Sequence, residues 1–356
     1  MKQGCVDPGD CLGNWNGAVA PSIPRNHAPN AKRRVICTVG PASLKPRVIR
    51  ELEAIGVSLF RINLSHTAVD DVRPAITLLK KYTTVPVCLD SEGAQIRTGT
   101  FSAAPANLKK GGLIQVHRHP VDGNAEKLSF TPLNTLELLE PGDLITIDFH
   151  AAIAEVIEIE SDRAVLRVRK GGRVGSNKAC NVHREIDLPA ITEKDRIAIQ
   201  IGREMGVDHY ALSFANRPED VREMRILVGP HATLISKIES RSGIEHLDEI
   251  ARLSDAILID RGDLSRQVPL QQIPAHQKNI IRRVKAIGRP VYVATNLLES
   301  MVHSAVPTLA EINDIHNTLD DGADGLVLAS ETAVGKFPIQ CVNMVMSVID
   351  EFMRPS

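Results

Sequence analysis

Four times along the chain, a stretch with helical amphipathic periodicity runs into a glycine and then into a short apolar run. The four are "RELEAIGVSLFRINLS", "GREMGVDHYALSF", "RRVKAIGRPVYVAT" and "NTLDDGADGLVLAS". The glycine supplies a left-handed cap for the helix end, and the aliphatic, β-branched residues after it favour a strand. Helix starts are marked too: Thr308 and Glu311 have capping-box spacing ahead of Ile312, Ile315 and Leu319. Apolar runs fall at 33–39, 57–63, 85–90, 208–214, 232–238, 255–260, 290–295 and 324–329. Eight such runs separated mostly by helical patterns predict an α/β fold, a (β/α)8 or TIM barrel.

One interval breaks the rhythm. Between 98 and 188 the period drops to two, as in "DLITIDFHAAIAEVIEIESDRAVLRVRKGGRVG". This predicts a small all-β domain of residues 98–188 inserted after strand three, with the barrel built from 33–97 and 189–356. The barrel segments together come near the ~250 residues typical of the fold. An insert that leaves from the C-terminal end of a barrel strand stands on the active-site face, so a lid is its expected role. Residues 1–32, rich in Gly, Pro and Asn, read as a flexible tail without the apolar stretch of a signal peptide.

Composition narrows the partners. The 356 residues carry a net charge of −1 and only 3% aromatics, so neither a basic field nor stacking platforms point to nucleic acid. No run reaches the ~18 apolar residues of a membrane span. Six scattered cysteines without a CxxC pair support neither a disulfide framework nor a zinc site, and the expected location is the cytoplasm.

The apolar runs end in polar residues: Thr38, then Arg61, Asn63, Ser65 and His66, then Asp90 and Ser91, Ser213, Lys237 and Glu239, Asp260 to Asp263, Thr295 and Asn296, and Ser330 and Glu331. A lone lysine in a strand is usually a snorkelling edge residue, and a carboxylate at a helix start is often a cap. The same explanation for nearly every strand of one barrel is untenable, because function gathers at that rim. Lys237 and Glu239, two apart in an extended run, project from the same face, which places them at a polar mouth. Glu239 and Asp263 offer hard oxygens for Mg2+. Lys237 beside that metal suits charge stabilisation on a transferring phosphoryl group. Asn63, Ser65, Asp90 and Ser91 form a second oxygen-rich set suited to a monovalent cation.

The segments "ICTVGPAS", "FRINLSH", "LDSEGAQIRTG", "GSNKACN", "DLPAITEKD", "ISKIES", "DRGDL", "ATNLLESM" and "ASETAVGKFP", in that order, resemble the pyruvate kinase family from about Arg33 to Met353. The resemblance implies phosphoryl transfer between phosphoenolpyruvate and ADP, giving pyruvate and ATP. It implies Lys237, Thr295 and Arg61 as catalytic residues, with Asp260, Arg261, Gly262, Asp263 and Thr295 around the substrate. Arg61, His66, Arg97 and Lys178 would surround nucleotide phosphates, Lys178 coming from the insert. Glu239 and Asp263 would hold Mg2+, and Asn63, Ser65, Asp90 and Ser91 would hold K+.

Several positions depart from the family pattern. Asp260 stands where the family has a small residue beside the substrate carboxylate. Two like charges 4 Å apart repel by about 4 kcal/mol at an effective dielectric near 20. Weak phosphoenolpyruvate binding is therefore expected, or a substrate that brings a donor or cation to that spot. Asn296 shortens the family's glutamine, Ser330 carries a hydroxyl moved by one position, and Glu92 and Gln95 alter the loop after strand three. The lid reads Ile147-Asp148-Phe149-His150, one acid fewer than the family. The alternatives are an enolpyruvate-using enzyme with a changed substrate or acceptor, a metal-dependent lyase, and a non-catalytic binding paralogue. Retention of Lys237 and Glu239 speaks against the paralogue, and Arg61 with Lys178 against the lyase. The sequence stops at Ser356 before the family's regulatory domain, so unregulated kinetics and a homo-oligomer smaller than a tetramer, a dimer, are expected.

Overall fold

A computed structural model describes residues 33–354 except 94, 149–150 and 185. The expected tail at 1–32 and the residues Phe149 and His150 lie outside the described residues. Eight parallel strands close into a barrel: Arg34–Thr38, Leu59–Asn63, Val87–Asp90, His209–Leu212, Thr233–Ile238, Ala256–Asp260, Val291–Ala294 and Gly325–Leu328. Each lies within one of the apolar runs. Helices end on the expected glycines: Gly56 caps Pro46–Ile55 at φ 112°, a conformation that costs glycine least. Thr308 and Glu311 form the anticipated capping box on Leu309–Asp320.

Two apolar clusters show how the barrel is filled. One lies between the strands and the outer helices and takes Phe60, Ile62, Leu234, Ile238, Ile257, Ile259, Val291 and Val293. A smaller cluster takes the alternate residues Leu59, Cys88, Ala211, Ile235, Leu258 and Ala294. Strand side chains alternate between faces, so the inward row continues past Leu59 to Arg61, past Cys88 to Asp90, past Ile235 to Lys237 and past Leu258 to Asp260. The period that packs the barrel interior therefore aims four charged groups at its mouth.

A second closed barrel of seven strands branches off after the third strand. Its order is Arg163–Lys170, Leu113–His117, Lys127–Thr131, Ile96–Thr98, Ala179–Val182, Leu144–Ile147 and Ala152–Ile159. It has its own apolar core, including Val116, Phe130, Ile145, Val156 and Leu166. The chain rejoins the first barrel at the helix Glu193–Glu204, whose capping box pairs Thr192 with Asp195. Asp195 also accepts the backbone N–H of Glu92 at 2.7 Å and of Gly93 at 3.2 Å, pinning the loop from which the second barrel departs.

Candidate active site

Lys237 sits at the bottom of a cleft of about 1220 Å³ lined by both barrels. Its Nζ is 2.8 Å from Glu239 Oε1, 3.3 Å from Asp90 Oδ2 and 3.5 Å from Asp260 Oδ2. It also donates to Ser213 Oγ at 3.1 Å. Lys237 is 3% exposed, Glu239 1% and Asp260 4%, so the mouth is polar and yet closed to solvent at this depth. Burying an isolated charge is costly, and here each charge faces an opposite one. Arg61 completes the group, binding Asp90 Oδ2 through Nε at 2.8 Å and Nη2 at 2.5 Å, with Nη1 donating to Thr38 Oγ1 at 2.8 Å.

The ionisation tendencies follow from this arrangement. Burial works against the Lys237 ammonium, but Asp90, Glu239 and Asp260 outweigh it and hold its pKa above the usual lysine range. Burial also works against the Asp260 carboxylate, which Lys237 and Arg61 nevertheless hold below its ordinary value. Glu239 is pushed up to about 8, first by burial and then by the neighbouring Asp260 and Asp263, despite Lys237. Its Oε2 accepts the Phe214 N–H at 2.7 Å.

The sixth strand runs straight into the short helix Arg261–Leu264. Asp263 lies in the cleft, accepting Gln95 Nε2 at 3.3 Å and contacting Arg266 Nη1 at 3.0 Å. Arg261, expected beside the substrate, points the other way: Nη2 donates to the Thr295 carbonyl at 2.7 Å and Nη1 to Asp314 Oδ1 at 2.9 Å. Its bonds hold Thr295, whose backbone adopts φ 71°. A β-branched residue is uncommon there, and such positions cost on the order of 1–3 kcal/mol. Gly262 N–H donates to Thr295 Oγ1 at 2.8 Å, and that hydroxyl lies 3.2 Å from Asp260 Oδ1. Asn296 follows with φ 56°.

Of the four phosphate-side candidates, Arg61 is buried with Asp90 and Thr38, while Arg97, Lys178 and His66 lie at the rim. Arg97 Nη1 donates to the Asn177 carbonyl at 3.1 Å, and Lys178 Nζ is 3.0 Å from Asp148 Oδ2. Both line the cleft together with His66. Burial first, then Arg97 and Arg61, lowers the His66 pKa below its ordinary value. In the expected monovalent set, Asn63 Oδ1 accepts Ser65 N–H at 3.0 Å and Ser91 Oγ accepts Ser213 N–H at 2.9 Å. Asp90 Oδ1 is 3.3 Å from Ser213 Oγ. These oxygens keep unused lone pairs. Asn63 and Ser65 line the cleft, while Asp90 and Ser91 are buried behind it.

For a divalent cation there is a cluster of carboxylates. Glu239, Asp260 and Asp263 each offer an oxygen, and these atoms lie within 4.8 Å of one another. Glu239 Oε1 is buried and has no hydrogen-bond partner among the described residues, the Lys237 ammonium being close but outside hydrogen-bond geometry. Hard carboxylate oxygens of this kind suit Mg2+.

Some contributors carry no role in the sequence reading. Ser213 and Thr38 appear there only as polar strand ends, yet they bind Lys237 and Arg61. Asp195 appears there only within "DLPAITEKD", with no role assigned. Glu331, a polar strand end, takes the backbone N–H groups of Leu298 and Ala329 and so braces the loops rather than the cleft.

The chain matches the family described as "PK: Pyruvate kinase, barrel domain" over residues 30–342. A pyruvate kinase of Methylorubrum extorquens is 35% identical over 329 residues, spanning 91% of this chain and 69% of its own length. One of Agrobacterium vitis is 37% identical, with 90% and 68% covered, and one of Thermotoga maritima 34%, with 89% and 70%. Among the described residues no helix is long and apolar enough to cross a membrane.

Proposed function

This chain belongs to the pyruvate kinase family and is a phosphotransferase, and from that premise we propose that it moves phosphoryl between phosphoenolpyruvate and ADP. The observation that carries the proposal is the Lys237 ammonium, held within 3.5 Å of three carboxylates beside the oxygens of Glu239 and Asp263. A cation fixed in a dry site stabilises charge developing on a transferring group without reorganising at the moment of reaction.

Glu239 and Asp263 would hold Mg2+, which supplies Lewis-acid stabilisation of phosphoryl oxygens when bound. Arg61, His66, Arg97 and Lys178 would orient the nucleotide phosphates, with the second barrel acting as a lid that brings Lys178. Thr295 presents its hydroxyl where the enolate would take or give a proton, and Arg261 keeps that hydroxyl in place through the backbone. Asn63, Ser65, Asp90 and Ser91 would hold K+. A homo-oligomer, a dimer, completes the proposal.

A second reading is favoured by one observation: Asp260 points into the cleft beside Lys237 and Thr295. A substrate with a changed or less anionic group at that point would be preferred. Phosphorus-31 NMR of the protein with phosphoenolpyruvate and ADP, with and without Mg2+ and K+, tests both readings. Conversion to ATP at ordinary family rates supports the first. No turnover of phosphoenolpyruvate, with phosphoryl transfer from a related enol phosphate, supports the second. No metal-dependent transfer from any enol phosphate defeats both.

A further inference from the structure

We propose that Asp260 is a third carboxylate ligand of the divalent cation, so that this protein holds its metal through three protein carboxylates. The proposal rests on the reading that Glu239 and Asp263 hold a metal. Three observations carry it.

Asp260 is the last residue of the sixth strand, and the alternation that turns Ala256 and Leu258 into the barrel turns its carboxylate inward as well. Its position therefore follows from the backbone. Its carboxylate then falls in a cluster with Glu239 and Asp263 whose oxygens lie within 4.8 Å of one another. Three carboxylates this close repel each other unless a cation lies among them. The Lys237 ammonium is divided among Asp90, Glu239 and Asp260. Arg61 is committed to Asp90 and Thr38.

The second observation is an under-served oxygen. Glu239 Oε2 is satisfied by Phe214 N–H, while Oε1, buried on the same side chain, makes no hydrogen bond among the described residues and faces the Lys237 ammonium at 2.8 Å, a cation it shares with Asp90 and Asp260. A buried carboxylate oxygen with a share in one ammonium still has acceptor capacity to spare, which a divalent cation would use.

The third is the chemistry of the count. A site with two carboxylates must complete its coordination with water and substrate oxygens, which couples metal binding to substrate binding. A third carboxylate from the protein raises the ligand charge and loosens that coupling. Asp260 thus acts on the metal more than on the substrate, which also explains how a carboxylate is tolerated beside an anionic substrate.

The test is Mn2+ binding to the full chain without nucleotide or phosphoenolpyruvate, followed by the EPR signal of free Mn2+. The wild type should bind one ion per chain, and Asp260→Ala should weaken that binding by about tenfold or more. Asp260→Asn, nearly isosteric and still able to accept from Thr295, carries the test should the alanine variant fail to fold. Glu239→Gln is the control for the underlying reading. If Glu239→Gln weakens Mn2+ binding while Asp260→Ala and Asp260→Asn bind as tightly as wild type, the metal site stands and Asp260 is only a partner of Lys237. If the wild type binds no Mn2+, or Glu239→Gln changes nothing, the metal reading and the proposal fall together.

Discussion

The two walls of the cleft are built on opposite principles. On one, Asp90, Lys237 and Asp260 project from strands of the parallel barrel, Glu239 follows just past Lys237, and all four are almost wholly buried, with the three carboxylates within 3.5 Å of the Lys237 ammonium. On the other, Lys178 is carried by the second barrel, its side chain is 41% exposed, and its partner Asp148 comes from the same barrel. The difference teaches where electrostatics matter. A buried pair is expensive to break because the surviving charge stays in a poor solvent, whereas an exposed pair contributes little and can exchange its partner for a ligand. The barrel wall is thus suited to fixed chemistry, and the rim to binding and release.

Breaking the buried wall should have the largest effect. Lys237→Met strands Glu239 and Asp260 and leaves Asp90 to Arg61 alone, so urea unfolding should show a loss of about 3–5 kcal/mol. Phosphoryl transfer should fall by roughly a thousandfold or more. Adding Asp260→Asn to that variant should return part of the stability and none of the activity. A Lys237→Met protein as stable as wild type would show that the wall is solvated and the contrast unfounded.

The turn after the seventh strand should respond next. Thr295→Val keeps the shape but removes the acceptor for Gly262 N–H and the donor to Asp260, at a cost of about 1–3 kcal/mol. Turnover should drop by about a hundredfold with little change in KM, read from steady-state kinetics. An unchanged turnover would take the hydroxyl out of the chemistry.

At the rim the effects should separate the other way. Lys178→Ala should alter stability by no more than about 0.5 kcal/mol, measured by thermal or urea unfolding. The KM for the phosphate-bearing substrate should nevertheless rise several-fold. A loss of stability comparable with that of Lys237→Met would erase the distinction between the walls.

The smallest effect belongs to His66. Burial and the cations Arg97 and Arg61 lower its pKa from the ordinary 6.5, so proton NMR should give an imidazole midpoint below that of a free histidine. A histidine that is harder to protonate when folded contributes stability above the unfolded pKa, and this is lost as pH falls below about 6.5. Arg97→Gln should move the midpoint upward. A midpoint at or above the ordinary value would mean the rim is more open than the structure has it.

The barrel was legible because its signals are local. A short apolar run and a helix's stop at glycine are written in consecutive residues, so all eight strands fall inside the predicted runs, from Arg34–Thr38 to Gly325–Leu328. The charged inward row was legible for the same reason, since Ile235, Lys237 and Glu239 share one face. Partnerships across the barrel were not. Ser213 and Lys237 lie 24 positions apart, and Asp90 and Lys237 147, so no local pattern links them. Arg261 shows the limit most clearly. Its place in "DRGDL" puts it at the site, but side-chain direction depends on what stands behind it. There, Asp314 on a later helix and the carbonyl of Thr295 draw the guanidinium away from the cleft. Residue identity and spacing decided which groups reach the mouth of this barrel, because backbone alternation is a local rule. Closure of the barrel decided which of them are buried together, because burial and pairing depend on neighbours that sequence distance does not reveal.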